Sequence, residues 1–359
     1  MNQPLSIPDR LFLGLCAALL LTPLALTQWN NHADLKTERR PRAAWPKVPT
    51  ALAVWRQFPG QFDQALQDRI GLREKAREYW AAAHYLALRE SVDPRVVIGQ
   101  EPWLFFRVEP TGAEIENTLA DMTESQPVLD KTVRLALEKL QNRHRWAKDH
   151  GVRYLFAAVP NKSTIYRNLG PDWMQRSGFG RPLTQLDEAW AKRHGTDHPW
   201  LSLEPALRAH AGETNIYFHT DTHWNELGAF YGVQAMAQQL AKDFPGLRVP
   251  QLADFAVTWI TWGGLDLGHM LGAHAWLRDH HPKLTVRPGL ELPPFQRDMK
   301  VLFYHDSFGG VLPHLWLAYF PNTEFHLYHH FDREEILADK AQLAISLLVE
   351  RSLRDLRKY

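Results

Sequence analysis

The sequence has a single cysteine, Cys16, in 359 residues. That excludes an intramolecular disulfide, and with it zinc-ribbon and thioredoxin-like readings, which need at least one cysteine pair. Charge of one sign is also missing: 41 Lys and Arg against 40 Asp and Glu leave a formal charge of +1. No global field would therefore hold nucleic acid by counterion release. No internal repeat or low-complexity tract is evident, so solenoid, collagen-like and disordered classes fall away. Long apolar runs are scarce as well. The prominent one is Leu11 to Leu26 (LFLGLCAALLLTPLAL), which carries no charged residue and stands behind Arg10. At roughly 16 to 19 residues it lies between a signal-peptide core and a minimal span of about 17 to 25. Ala25-Leu26-Thr27 is a poor small-x-small cleavage site, and Leu15 before Cys16 spoils a lipoprotein box. An uncleaved signal anchor over residues 1–29 is favoured over a cleaved signal, with the remainder exported.

What is present is ordinary globular composition, 45% apolar and 23% charged, in a length that allows two domains at most at about 150 residues each. The 14 Trp are many, and they serve either core packing or stacking on sugar rings. Residues 30–94 read as a linker broken by Pro46 and Pro49, then amphipathic helices between Trp55 and Arg89, where Phe58, Phe62, Leu66 and Ile70 recur at four-residue steps. The main domain is placed at 95–359. Val96–Gly99 and Trp103–Phe106 flank Glu101-Pro102 as two short strands joined by a turn. Val128 to His150 has a helical face and Gly151 in a capping position, followed by the buried-strand run Val152–Val159. Trp224–Lys242 reads as helix, Val301–Tyr304 as strand, and Arg333–Arg354 as helix with Ile336, Leu343, Leu347 and Val349 inside. Helix alternating with buried strand is the α/β signature.

Two loops carry chemistry. His219-Thr220-Asp221-Thr222-His223-Trp224 lies between the apolar Ile216-Tyr217-Phe218 and the helix beginning at Trp224. His305-Asp306-Ser307-Phe308-Gly309-Gly310 follows the strand at Val301, where two glycines permit a sharp turn. A serine nucleophile needs a base, and the base an orienting group; Ser307, His223 and Asp221 supply the three types. Plainer roles stand beside these: Asp221 as a helix N-cap and Ser307 as a turn residue. His305, two residues from Ser307 on an extended segment, is a rival base. A zinc reading also competes, because His219 and His223 are four apart with Asp221 between them. It lacks a third ligand pair, and no metal is expected.

These residues resemble the exported alginate O-acetyltransferases of the AlgJ/AlgX type. The similar segments are Phe62–Arg73, Val97–Phe106, Val159-Pro160-Asn161-Lys162, Asp221-Thr222-His223-Trp224, Gly263-Gly264-Leu265-Asp266-Leu267, Asp306-Ser307-Phe308 and Val349-Glu350-Arg351. The resemblance implies an SGNH-hydrolase-like (flavodoxin-like) parallel sheet with flanking helices, and a circularly permuted motif order in which the Asp/His block precedes the Ser block. It places the catalytic Asp, His and Ser on Asp221, His223 and Ser307. His305 stands where that family's serine block has Gly. Asn161, Gly264 and the N–H of Ser307 are the oxyanion candidates, and Trp224, Trp262 and Trp103 the stacking candidates for substrate. The implied activity is transfer of an acetyl group through Ser307 to hydroxyls of an exopolysaccharide in the periplasm. The alternatives are an acetyl esterase with the same triad and a catalytically silent polysaccharide-binding scaffold. No acetyl-CoA motif appears and no cofactor is expected. A membrane-bound O-acyltransferase is the implied acetyl-donor partner.

Overall fold

The computed structural model describes residues 6–25, 34–35, 40–51, 55–70, 73–100, 102–110, 116–175, 178–193, 197–328 and 330–356. The chain divides into two compact units, Met1–Asp93 with His269–Trp276, and Pro94–Gly268 with Leu277–Tyr359.

In the first unit, helix α1 (Ile7–Ala25) exposes nearly all of its described side chains. Its 19 residues rise about 28 Å, just under the roughly 30 Å hydrocarbon core of a bilayer. Among the described residues, no helix is long and apolar enough to cross a membrane. Most of the linker expected from residue 30, up to residue 39, lies outside the described residues. Helices α2 (Phe58–Gln67) and α3 (Arg73–Ala83) follow. The buried Asp68 carboxylate accepts the Ala43 N–H at 2.8 Å, and the Arg69 guanidinium lies 4.6 Å from the Trp45 ring.

The second unit opens with an antiparallel pair, β1 (Val96–Ile98) and β2 (Leu104–Phe106). Its centre is a parallel sheet of β3 (Arg153–Val159), β4 (Trp200–Ser202), β7 (Val301–His305), β8 (Thr323–Leu327) and β9 (Leu343–Val349), in the order β8-β7-β9-β3-β4. Between β4 and β7 the chain makes a two-stranded ribbon, β5 (Phe255–Gly263) and β6 (Arg278–Val286). Because side chains alternate across a strand, β3 sends Leu155, Ala157 and Val159 into one core and Tyr154, Phe156 and Ala158 into the other. Helix α6 (Glu226–Leu240) covers the first face; α4 (Asp130–Asp149) and α5 (Pro182–Lys192) cover the second. Both faces of β3, β7 and β9 are covered, so these strands read as nearly unbroken apolar runs. Gly151, at φ +72°, takes the chain out of α4 and into β3.

One expectation is corrected. Arg333–Arg354 is not one helix: only Arg333–Ala338 is α-helical, and Leu343–Val349 is the central strand. Leu343 and Leu347 have helical spacing, but Ala344, Ile345 and Leu348 between them are buried too. A run buried all round has no period to distinguish strand from helix, and its seven-residue length is that of a strand.

Candidate active site

The sheet order places β7 beside β9, the two positions that flank the switch point of a 2-1-3-4-5 sheet. Clefts of doubly wound sheets form outside the carboxyl ends of such strands. Ser307 begins the 3-10 turn Ser307–Val311 directly after β7. Asp306 caps that turn: its Oδ1 accepts the Phe308 N–H at 2.9 Å and its Oδ2 accepts the Val349 N–H at 2.7 Å, tying the turn to the end of β9. Burial pushes the Asp306 carboxyl upward. Gly309 is required here, since a Cβ at that position would stand 2.2 Å from His305 Cγ.

The second loop is a tight turn. Tyr217 bridges Trp224 antiparallel, the Phe218 N–H donates to His223 O at 3.2 Å, and the Asn225 N–H donates to Ile216 O at 3.0 Å. The Asn225 side chain then accepts the N–H groups of Leu227 and Gly228, starting α6. Within the turn, Asp221 Oδ1 lies 2.6 Å from His223 Nδ1 and accepts the His223 N–H at 3.0 Å. His223 Nε2 is 2.9 Å from Ser307 Oγ. The Phe308 ring lies 4.7 Å from the imidazole. Burial alone would raise Asp221, but the hydrogen bonds and charge of His223 hold it below the usual carboxylate range. Nδ1 faces a carboxylate, so Nδ1 carries the proton and Nε2 is free to accept one from the serine.

Three ionisable side chains, Asp279 and Lys162 buried and Asp266 half-buried, fasten the turn. Asp279 Oδ2 accepts both the N–H and the hydroxyl of Thr220 at 2.7 Å. Asp266 accepts the Thr222 N–H and hydroxyl, each at 3.0 Å. Lys162 Nζ donates to His219 O at 2.7 Å and to Asp221 O at 2.9 Å. Asp266 is raised by burial and by the neighbouring Asp221 charge, whereas the hydrogen bonds to Asp279 outweigh its burial and lower it. None of these three is singled out by residue type alone. Their signal lies in the resembling segments, which contain Lys162 and Asp266.

The other candidates lie elsewhere in the network. Trp224 is fully buried, with Nε1 donating to Phe308 O at 2.9 Å, and Trp103 is buried against Tyr166 and His219. Both are corrected from stacking platforms to core, because an enclosed ring has no face for a sugar. Trp262 is 48% exposed on β5, with its ring 6.3 Å from Phe218. His305 Nδ1 is 2.6 Å from Asp306 O, and its ring stands roughly perpendicular to those of Phe303 and Phe325, at 6.1 and 5.8 Å. Asn161 donates its N–H to Glu350 at 2.9 Å and its amide to Asp121 at 3.4 Å. Gly264 is buried just before Leu265, whose N–H donates to Thr220 Oγ1 at 3.0 Å.

A cation remains to be weighed. Asp221, His223 and Asp266 bring one ligand atom each within 4.8 Å of one another. Asp221 Oδ1 and His223 Nδ1 stand 2.6 Å apart, however, closer than the roughly 3.3 Å between two ligands of a tetrahedral zinc. His219 points away, its Nε2 being 2.7 Å from the Asn215 amide nitrogen, and α6 begins only at Glu226. The two histidines therefore do not share a helix face, and Asp221 and His223 are arranged as a hydrogen-bonded pair facing Ser307, with Asp266 engaged by Thr222.

The profile of the SGNH hydrolase-like domain of the acetyltransferase AlgX matches residues 96–295, more than half of the chain. The chain belongs to this AlgX family of SGNH hydrolase-like domains. It is 28% identical over 214 residues to the probable alginate O-acetylase AlgJ of Pseudomonas aeruginosa, covering 58% of this chain and 47% of that protein. With the AlgJ of Azotobacter vinelandii it shares 29% over 213 residues, 58% of this chain and 49% of that one. The chain thus spans about half the length of the curated relatives it matches. Among solved structures, the fold is similar to Bacillus cereus PatB1 (TM-score 0.52, 13% identity, 72% of this chain and 96% of that one). It is also similar to the O-acetyltransferase domain of Pseudomonas putida AlgJ (TM-score 0.50, 18% identity, 74% and 95%). These likenesses show a shared SGNH-hydrolase-like α/β fold.

Proposed function

We propose that this AlgX-family chain is an O-acetyltransferase that carries an acetyl group on Ser307 to hydroxyls of an exported polysaccharide, alginate-like or another exopolysaccharide. The observation that carries the reading is the Asp221–His223–Ser307 relay, with contacts of 2.6 and 2.9 Å, at the switch point of the sheet. As Ser307 Oγ attacks the acetyl carbonyl of the donor, His223 Nε2 takes the hydroxyl proton and passes it to the departing alcohol. Asp221 orients the ring and stabilises the imidazolium. In the second half, a sugar hydroxyl gives its proton to Nε2 and attacks the acetyl-serine ester; Ser307 leaves and recovers the proton. The Ser307 N–H, first in its turn, is the proposed oxyanion donor, with Asn161 and Gly264 as further candidates. Such a donor is worth about 2.7–4 kcal/mol.

Beyond the chemistry, family membership and the names of the relatives support the acceptor class. Counted from β7, the order β8-β7-β9-β3-β4 becomes 2-1-3-4-5, the flavodoxin-like order; this supports the reading that the motif order is circularly permuted. We place the catalytic domain at 95–359 in the periplasm, tethered by the segment 1–29 to the inner membrane and joined to it by residues 30–94. A membrane-bound O-acyltransferase is the proposed source of acetyl groups on that side.

The test is incubation of the full chain with 4-nitrophenyl acetate and mass spectrometry of the Ser307 peptide. An acetyl mass on Ser307 that is absent from His223→Ala, and that moves to added polysaccharide, is the expected result. Release as acetate without transfer would favour the esterase. Polymer acetylation in cells unaffected by Ser307→Ala would leave only the scaffold.

A further inference from the structure

The ammonium of Lys162 is buried directly beneath the turn that holds Asp221 and His223. Lys162 is 4% exposed. It follows β3 by way of Pro160 and Asn161 and starts the short helix Lys162–Ile165. Its two hydrogen-bond acceptors, His219 O at 2.7 Å and Asp221 O at 2.9 Å, lie two residues apart. The ammonium thus spans the first half of the turn as a staple. Nζ also lies 5.2 Å from the Trp103 ring and 5.4 Å from the Phe105 ring, a desolvated setting in which such contacts are strong.

Burying a cation is costly unless it is compensated. The compensation here comes from carboxylates that grip the same turn, Asp279 and Asp266, together with Asp221 itself. Removing one partner from a group of buried charges leaves the others uncompensated, so Lys162 and these carboxylates act as one unit around the turn. The two carbonyls differ in what they would lose. His219 O also accepts the Leu104 N–H at 2.9 Å, so removing Lys162 leaves it a partner. Among the described hydrogen bonds, Asp221 O accepts from Lys162 alone. The peptide that would be released is the one belonging to the carboxylate that orients His223.

We propose that Lys162 is a positioning residue of the acetyl-transfer site, its ammonium fixing the Asp221 backbone so that the carboxylate meets His223 Nδ1 and Nε2 meets Ser307. The inference rests on the proposed use of the triad, so its test has one reading that depends on acetyl chemistry and one that does not. The first is the rate constant of Ser307 acetylation by 4-nitrophenyl acetate, measured by rapid quench and intact mass on the full chain. A displacement of about 1 Å can cost about 100-fold, so Lys162→Met is expected to lower this rate by about 10- to 100-fold with donor KM unchanged. Lys162→Gln, which keeps one amide donor, should lose less. The second reading is the low-field proton resonance of the His223–Asp221 hydrogen bond, identified by its loss in His223→Ala; Lys162→Met should shift or broaden it. An unacetylated wild type would remove the proposed function and leave the resonance to decide on Lys162. A Lys162→Met protein with wild-type resonance and wild-type rate overturns the inference, as does a lower active fraction in which the active molecules keep the wild-type rate. If Lys162→Met does not fold, Lys162→Gln carries both readings under the same terms.

Discussion

His223 Nδ1 lies 2.6 Å from Asp221 Oδ1 while His223 Nε2 lies 2.9 Å from Ser307 Oγ. One imidazole therefore spans two loops 84 residues apart. The carboxylate selects the tautomer, so Asp221→Asn, which preserves shape but offers Nδ1 the wrong partner, should slow Ser307 acetylation by about 10⁴-fold. Donor KM should change little. Single-turnover acetylation followed by intact mass measures this, and a loss under tenfold would remove Asp221 from the relay.

Stability should report the buried ammonium. Burial lowers Lys162 to about 7 despite the pull of Asp279, Asp221 and Asp266, while an unfolded lysine titrates near 10.4. Between those values the unfolded chain binds more protons, so stability rises with pH. The penalty for the cation is full below pH about 7 and fades toward about 10.4. Lys162→Met removes this titration together with the hydrogen bonds of the ammonium, so its stability relative to wild type should be more favourable at pH 6 than at pH 10. Urea unfolding at the two pH values tests the sign, and a difference independent of pH would contradict it.

Trp262, half-exposed beside Phe218, is the one of the three sequence-named tryptophans with a free face. Trp262→Ala should raise KM for the polysaccharide acceptor by about 2- to 12-fold, the effect of losing roughly 0.5–1.5 kcal/mol of ring stacking. The Ser307 acetylation rate with a small ester should stay the same. Acceptor kinetics with wild-type KM would return Trp262 to a packing role.

Gly309 sets the turn that presents Ser307. A methyl at this position would meet the His305 ring at 2.2 Å, and His305 is held by Asp306 O and by the Phe303 and Phe325 rings. Gly309→Ala should lower stability by about 1–3 kcal/mol through overpacking and reduce acetylation more than the loss of folded protein explains. Thermal unfolding and active-site titration on one sample separate the two effects.

Much of this could be read from residues alone. Amphipathic periodicity locates α4 and α6, the apolar run locates β3, and residue types in two loops bring Asp221, His223 and Ser307 forward together. What escaped was long-range. β9 carries no period because helices cover both of its faces. Trp224 reads as the exposed start of a helix next to the site, yet it precedes α6 and is fully buried. Lys162, Asp266 and Asp279 come from three separate segments, and only the fold brings them around one turn. The ordinary expectation for such residues is solvent; Lys162 and Asp266 are marked only by lying in the resembling segments, and Asp279 by no local pattern.

The last strand of the described chain, β9, is the middle strand of the sheet. Before it docks, β8-β7 and β3-β4 are two separate pairs with bare inner edges. The Val349 N–H that ties down the Asp306 cap is missing as well. A polypeptide halted or clipped before residue 343 would possess all the reactive side chains and no organised nucleophile. It would also present two open edges of the kind that recruit other strands. Assembly of the centre therefore waits on the docking of β9.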